Sequence, residues 1–357
     1  MYLQQDFLIS NAGSQSLRKY KMKVAVFSTK PYDQEHLDKF NQAKFNEIVH
    51  QLTYLPARLT PLTATLADGY DAACCFVNDQ LDDHCIQILA SCGVKYIAMR
   101  CAGYNNVDLS SCAKYKIKAV RVPEYSPYAI AEHAVALIMD LNRNIHRAFA
   151  RVRENYYLLD GLLGFDMHGK TVGVIGTGEI GLRFIKILQG FGCNVIAADP
   201  YQSDKVKALG VEYKSLDELY AKSDIISLHC PLTSDTHHII NPQSISKMKT
   251  GVMIINTSRG GLVDTLAVIS GLKSEKVGYL GLDVYEEESD LFFEDFSNTV
   301  LQDDVFARLL TFPNVVITGH QAFFTREALD AISTVTLNNL TALENGELDK
   351  ACLITLS

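Results

Sequence analysis

The sequence predicts an α/β protein of two parallel-sheet domains, one inserted into the other, and three observations carry this. From Lys23 onward, short apolar runs alternate with polar helical stretches, the rhythm of a parallel sheet covered on both faces by helices. At residues 171–199 an apolar run enters a G-x-G-x-x-G turn, then a helix, then a second apolar run ending on an acid. That is the pattern of a strand–helix–strand unit built to face a phosphate-bearing ligand. Such a unit ordinarily opens its fold, yet some 170 residues precede it here, so a substantial first lobe is expected.

Element by element, VAVFS (24–28) reads as a strand and residues 32–40 as the start of a helix. AACCFV (72–77), bounded by polar pairs, and YIAMRCAG (96–103) are further strands. Residues 120–122 form a short strand stopped by Pro123. A long helix is expected over 128–151, with Ile130, Ala134, Leu137, Ile138 and Leu141 on one face and a basic end at Arg143, Arg147 and Arg151. After the glycine turn, strands follow at 194–199, in DIISLHCPLT (224–233), GVMIINTSRG (251–260), VGYLGLDVY (277–285) and NVVITGHQA (314–322). Four of these end in polar clusters, and in open parallel sheets ligands bind outside the carboxyl ends of the strands. The expected division is residues 22–124 plus 322–357 for one domain and 125–321 for the inserted one, with 1–21 a disordered extension.

Composition narrows the class. The 357 residues are 48% hydrophobic and 21% charged, ordinary for a globular protein and incompatible with large-scale disorder. A net charge of −8 gives no electrostatic reason to bind nucleic acid or an anionic membrane. No apolar run approaches a membrane span. Nine cysteines without a C-x-x-C pair read as reduced thiols, which points to the cytoplasm. Residues 1–21 carry one acid and few arginines, so a targeting peptide is the less favoured reading.

In the glycine turn, Gly176 permits the tight bend, Gly178 lets the backbone approach a pyrophosphate, and Gly181 lets the helix pack on the strand. Asp199, at the tip of the second strand, can accept hydrogen bonds from an adenosine ribose and disfavours a 2′-phosphate. NAD is therefore expected over NADP. Arg259 follows an uncharged strand in a glycine-flanked turn, where a guanidinium can grip a carboxylate with two parallel hydrogen bonds. His320 also follows an apolar strand, as a general acid and base could. Alone, the first would read as a solvated loop arginine and the second as a core histidine. Glu286, Glu287 and Glu288, with Asp290 beyond, look like a solvated acidic run, a reading that suits two of the three glutamates. The third, beside His320, would favour the imidazolium. Spacing alone does not say which. No metal motif and no G-x-S-x-G occurs, so no metal site and no serine nucleophile are expected.

Taken together, RCAGYNNVDL (100–109), VPEYSPYAIAEH (122–133), GVIGTGEIG (173–181), HCPLT (229–233), NTSRGGLVD (256–264), GLDVYEEESDLFFED (281–295) and TGHQAFFT (318–325) resemble the D-isomer-specific 2-hydroxyacid dehydrogenases. The resemblance spans nearly all of residues 22–357. It implies two Rossmann-like or flavodoxin-like parallel-sheet domains, with the NAD-binding domain inserted into the substrate domain. By it, Arg259 binds the substrate carboxylate, His320 is the acid/base, and Glu288 pairs with His320, falling five positions after Asp283. It puts the cofactor against Glu179, Ile180, Asp199, Cys230, Pro231, Thr236, Thr257, Ser258 and Asp283. The substrate meets the Ala102 and Gly103 backbone, Tyr125, and the apolar walls Phe76 and Phe323.

The long stretch between Glu288 and His320 favours the lactate-forming branch, which implies reversible NADH-dependent reduction of pyruvate to D-lactate. Bulkier 2-oxo acids such as phenylpyruvate are an alternative substrate class, and an NAD(H)-sensing corepressor-like protein is a remote one. A homodimer is expected, with a tetramer as the other possibility and the long helix as contact surface. One position departs from the pattern. Glu179 is an acid beside the expected pyrophosphate, so it should point to solvent and pair with Arg183 one turn later.

Overall fold

The computed structural model describes residues 22–43, 50–288 and 291–354. The expected extension over 1–21, and Asp290, lie outside them. The chain divides into two compact units, residues 1–123 with 330–357, and residues 124–329.

The first unit carries β1 (Lys23–Val26), α1 (Pro31–Ala43), β2 (Gln51–Tyr54), β3 (Ala72–Cys75), α2 (Asp83–Ser91), β4 (Tyr96–Met99), α3 (Leu109–Lys114) and β5 (Lys118–Val120). Its sheet is parallel throughout, in the order β2-β1-β3-β4-β5. Successive side chains of β1 alternate between two cores. Ala25 joins Phe27, Ile86, Leu89 and Ile97, whereas Val24 and Val26 join Leu37, Leu337, Leu340 and Leu343. Burial on both faces is why these strands read as unbroken apolar runs rather than as alternating ones. β2, the edge strand, is only partly buried, and its QLTY sequence carries no apolar signal.

The second unit carries α4 (Pro127–Arg143), α5 (Ile145–Arg153), β6 (Thr171–Ile175), α6 (Glu179–Gly190), β7 (Asn194–Ala198), α7 (Asp204–Lys207), β8 (Glu212–Tyr213), α8 (Leu216–Lys222), β9 (Ile225–Leu228), α9 (Pro242–Lys247), β10 (Val252–Asn256), α10 (Thr265–Lys273), β11 (Val277–Leu282), α11 (Asp304–Leu310) and β12 (Val315–Ile317). The order β12-β11-β10-β9-β6-β7-β8 is parallel throughout and reverses direction between β6 and β9, the switch point at which such sheets bind dinucleotides. α4 begins on Ser126, whose hydroxyl caps the Ala129 N–H, with Pro127 at its first position. Its Ala134, Leu137, Ile138 and Leu141 pack with Val172, Val174 and Ile255.

One boundary differs from expectation. The single helix over 128–151 is two helices, broken at Asn144. That residue takes the left-handed conformation (φ 51°), which asparagine tolerates better than most residues. α5 then presents Ile145, Phe149 and Val152 to solvent. The division between the two compact units falls inside α12 (Arg326–Asn345), between Leu329 and Asp330. Ala322 and Ala328 belong to a cluster with Ala129 and Ile130, which keeps the first turn of α12 with the second unit.

Candidate active site

The glycine turn lies at the switch point. Gly176 has φ +95°, and a Cβ there would fall 2.5 Å from His229 C and 2.6 Å from Cys230 N. Both the backbone angle and the close approach of β9 therefore require glycine. A Cβ on Gly181 would fall 2.2 Å from Gly176 O, whereas one on Gly178 meets nothing within 4 Å. Gly181 thus seats the helix on the strand, and Gly178 leaves the α6 terminus open to an incoming phosphate. We expect Gly176→Ala to lower stability by about 1–3 kcal/mol and to weaken NADH binding, read by thermal unfolding and NADH fluorescence titration. Wild-type values in both would show that the turn relaxes around a methyl group.

Asp199 accepts from the Thr177 N–H (2.6 Å) and hydroxyl (3.0 Å) on Oδ2, and from the Tyr201 N–H (2.8 Å) on Oδ1. The Thr177 hydroxyl is also hydrogen-bonded to Tyr213. The carboxylate is thereby fixed at the end of β7, with lone pairs left for a ribose. Glu179 pairs with Arg183 (3.1 Å) and Lys205 (3.3 Å), so its charge is balanced by two cations.

After β9, burial pushes the Cys230 thiol up to about 11, and it is a neutral wall. Burial likewise holds His229 down to about 3, so its ring is neutral, hydrogen-bonded to Ser227 and tilted against Phe184. The Pro231 carbonyl accepts from the Thr236 hydroxyl at 2.6 Å, closing the 231–236 turn. After β10, Ser258 donates to Cys230 O (2.9 Å). Thr257 is buried, and its hydroxyl has no hydrogen-bond partner among the described residues. An orphaned hydroxyl is costly unless a ligand completes it. Together with the open face at Gly178 and the fixed Asp199, it fits a dinucleotide along this edge of the sheet.

Arg259 stands on a turn organised by fully buried Asn256. The Asn256 side chain accepts from the Ser258 N–H (3.0 Å) and donates to Arg259 O (2.8 Å). One guanidinium nitrogen donates to Ser258 O (2.7 Å); the remaining N–H groups are available for a carboxylate. Asn256 was not singled out by sequence reasoning, because a buried polar residue at a strand end leaves no periodic signal.

His320 and Glu288, 32 positions apart, meet with Nδ1 2.8 Å from Glu288 Oε1. Glu288 Oε2 accepts from the Tyr285 N–H (2.9 Å). The His320 backbone is left-handed (φ 51°) and its N–H donates to Asp283 O (2.7 Å). Asp283 is fully buried, and its side chain accepts from Thr318, Gln321 N–H and Ala322 N–H, with His133 Nε2 at 3.3 Å. Burial opposes its charge, but these donors outweigh burial and hold its carboxyl below the usual range. Thus the residue that the resemblance puts near the cofactor spends its oxygens on the turn that carries His320. Tyr125 packs on Ala129, Ile130, Ala322 and Ala328, and Phe323 is buried edge-on to Phe324.

One reading of the acidic run needs correction: the solvated description fits one of the three glutamates and not two. Glu286 is no solvated acid, since it binds His238 and Thr265; only Glu287 is exposed.

In the first unit, the segments after β3 and β4 are tied to each other. Phe76 N–H donates to Asp79 (2.6 Å), and Asn106 donates to Phe76 O (3.2 Å) and Asp79 O (2.7 Å). Arg100 lies over the Phe76 ring at 4.8 Å, while Ala102 O accepts from Arg121 (2.9 Å). Gly103 O accepts from the Cys101 thiol. Among the described residues, no helix is long and apolar enough to cross a membrane, and no cluster of His, Cys, Asp and Glu could hold a metal ion.

Comparison with known proteins identifies the family. Residues 135–322 match the family model described as D-isomer specific 2-hydroxyacid dehydrogenase, NAD binding domain. The D-lactate dehydrogenase of Escherichia coli is 53% identical over 326 residues, covering 91% of this chain and 98% of the relative. The pyruvate reductase of Chlamydomonas reinhardtii is 46% identical with a TM-score of 0.86, covering 93% of this chain and 98% of its own. The Aquifex aeolicus D-lactate dehydrogenase, complexed with NAD and lactic acid, is 32% identical with a TM-score of 0.81, covering 94% and 99%.

Proposed function

Because this chain belongs to the D-isomer specific 2-hydroxyacid dehydrogenase family and is an NAD-dependent oxidoreductase, we propose that it interconverts pyruvate and D-lactate. The observation that carries the proposal is the His320–Glu288 pair, held on two adjoining strand ends. NADH, when bound, supplies the hydride. Gly176, Gly178, Ile180 and Gly181 would hold its phosphates, Asp199 its ribose, and Cys230, Pro231, Thr236, Thr257 and Ser258 would line the rest of the cofactor site after β9 and β10. Arg259 grips the carboxylate of the 2-oxo acid and fixes the direction of its carbonyl. His320 gives its Nε2 proton to the carbonyl oxygen, while Glu288 stabilises the imidazolium through Nδ1 and prevents the ring from turning. Tyr125 and Phe323 bound the small side chain of the substrate.

The test is NADH oxidation with a panel of 2-oxo acids and chiral analysis of the product. Pyruvate should have the highest kcat/KM and yield the D-isomer. Faster turnover of phenylpyruvate, an L-product, or no turnover would each overturn the reading.

We place the protein in the cytoplasm, where nine free cysteines stay reduced, and propose that it is a homodimer. Ile145, Phe149 and Val152 form an exposed apolar stripe on α5, and Leu159 and Leu163 are 81% and 90% exposed. The same segment is anchored by Arg147 to Gly161 O and by Arg151 to Asp160 O, so a fixed apolar surface faces solvent, as an interface requires. Phe149→Glu should convert dimer to monomer in light scattering coupled to gel filtration. A wild-type monomer at micromolar concentration, or a dimeric variant, would refute this.

A further inference from the structure

Glu286 sits two residues before Glu288, and its carboxylate joins segments that follow three different strands. Oε1 is 2.6 Å from His238 Nε2, in the segment after β9. Oε2 accepts from the Thr265 N–H at 2.9 Å and closely from the Thr265 hydroxyl, at the start of α10 after β10. Glu286 itself follows β11. Both partners are fixed independently. His238 has a left-handed backbone (φ 50°), donates its N–H to Gly261 O at 2.8 Å, and stacks on His237 at 3.9 Å. Thr265 opens α10 behind Asp264, whose side chain caps the Ala267 N–H.

The same turn is held on a second side. A Cβ on Gly260, the neighbour of Arg259, would fall 2.1 Å from Tyr285 C and O and 2.5 Å from Glu286 N, so the peptide joining residues 285 and 286 lies flat against the Arg259 turn. Tyr285 N–H in turn holds Glu288 Oε2. A shift at Glu286 therefore passes through one peptide into the hydrogen bond that orients Glu288.

We propose that Glu286, clamped by His238 and Thr265, is a positioning residue that sets the 285–288 turn so that Glu288 meets His320. The proposal rests on the reading of Glu288 and His320 as the proton-donating pair. Among the described residues there are thus two histidine–glutamate pairs, one beside the reacting atoms and one that holds the first in register.

A double-mutant cycle tests it, using purified full-length Glu286→Ala, Glu288→Gln and the double variant, with pyruvate turnover and NADH binding as readouts. Glu286→Ala should lower kcat by roughly 10- to 100-fold, the scale of a misplaced catalytic group, with NADH affinity unchanged. The double variant should turn over as slowly as Glu288→Gln alone, since the lost interaction is shared. His238→Ala should reproduce the loss and His238→Gln should recover most of it, because the glutamine amide can still donate to Glu286. His238→Ala also stands in if Glu286→Ala does not fold. Losses that multiply in the double variant, or a Glu286→Ala kcat equal to wild type while Glu288→Gln is slow, would overturn the positioning role alone. Wild-type turnover by Glu288→Gln would instead overturn the underlying reading of the pair.

Discussion

His320→Ala is expected to lower kcat for pyruvate reduction by about 10²–10⁴-fold, the usual contribution of a positioned acid, while NADH affinity changes little. The ring is held on Nδ1 by Glu288 at 2.8 Å, so only Nε2 remains for the carbonyl oxygen. The residues proposed to hold the phosphates and ribose lie on the β6–α6 turn and at the end of β7, away from the His320 turn in the chain. His320 is left-handed (φ 51°), and a substitution can therefore disturb the backbone as well as the chemistry. His320→Asn separates the two effects, because asparagine accepts this conformation readily. It should be as slow as the alanine variant while melting closer to wild type. Stopped-flow and steady-state rates for both variants make the check, and a kcat within tenfold of wild type would remove His320 from proton transfer.

Arg259→Met should have an effect of similar size with a different signature. Two charge-assisted hydrogen bonds to a carboxylate, at about 1.5–3 kcal/mol each, correspond to a loss of roughly 10²–10⁴ in kcat/KM. The loss should appear in KM for pyruvate as well as in kcat, because Arg259 both binds and aligns. Arg259→Lys should fall between, keeping the charge but losing the planar fork. The Asn256 clamp on the turn backbone, at Ser258 N–H and Arg259 O, survives either change, so the melting temperature should be nearly constant. If Arg259→Met leaves KM for pyruvate unchanged, the carboxylate is held elsewhere.

The glycine turn was legible in the sequence because its requirements are local. A positive φ at Gly176 and close packing at Gly181 are demands that a few neighbouring residues make and that only glycine meets. The strand ends were legible for a similar reason, since buried parallel strands are apolar runs and the polar residues that follow them stand where ligands bind. The edge strands β2 and β8 were not, because they are short and only partly buried. The break at Asn144 was also hidden, as the apolar spacing of α4 runs on into α5 while the backbone does not.

The acidic run marks the limit most clearly. By itself the sequence determined the α/β class, the glycine turn, NAD as the cofactor, and the strand ends on which Arg259 and His320 stand. Three consecutive glutamates are equivalent to any argument from composition or spacing, and the family pattern selected Glu288 without a physical reason. Only the tertiary structure divided them. It gave Glu286 to His238 and Thr265, left Glu287 exposed, and placed Glu288 against His320. The partners lie tens of residues away along the chain and come within hydrogen-bonding distance only after the strands have paired in register. Side-chain pairing at that range depends on the sheet order, which no local pattern encodes.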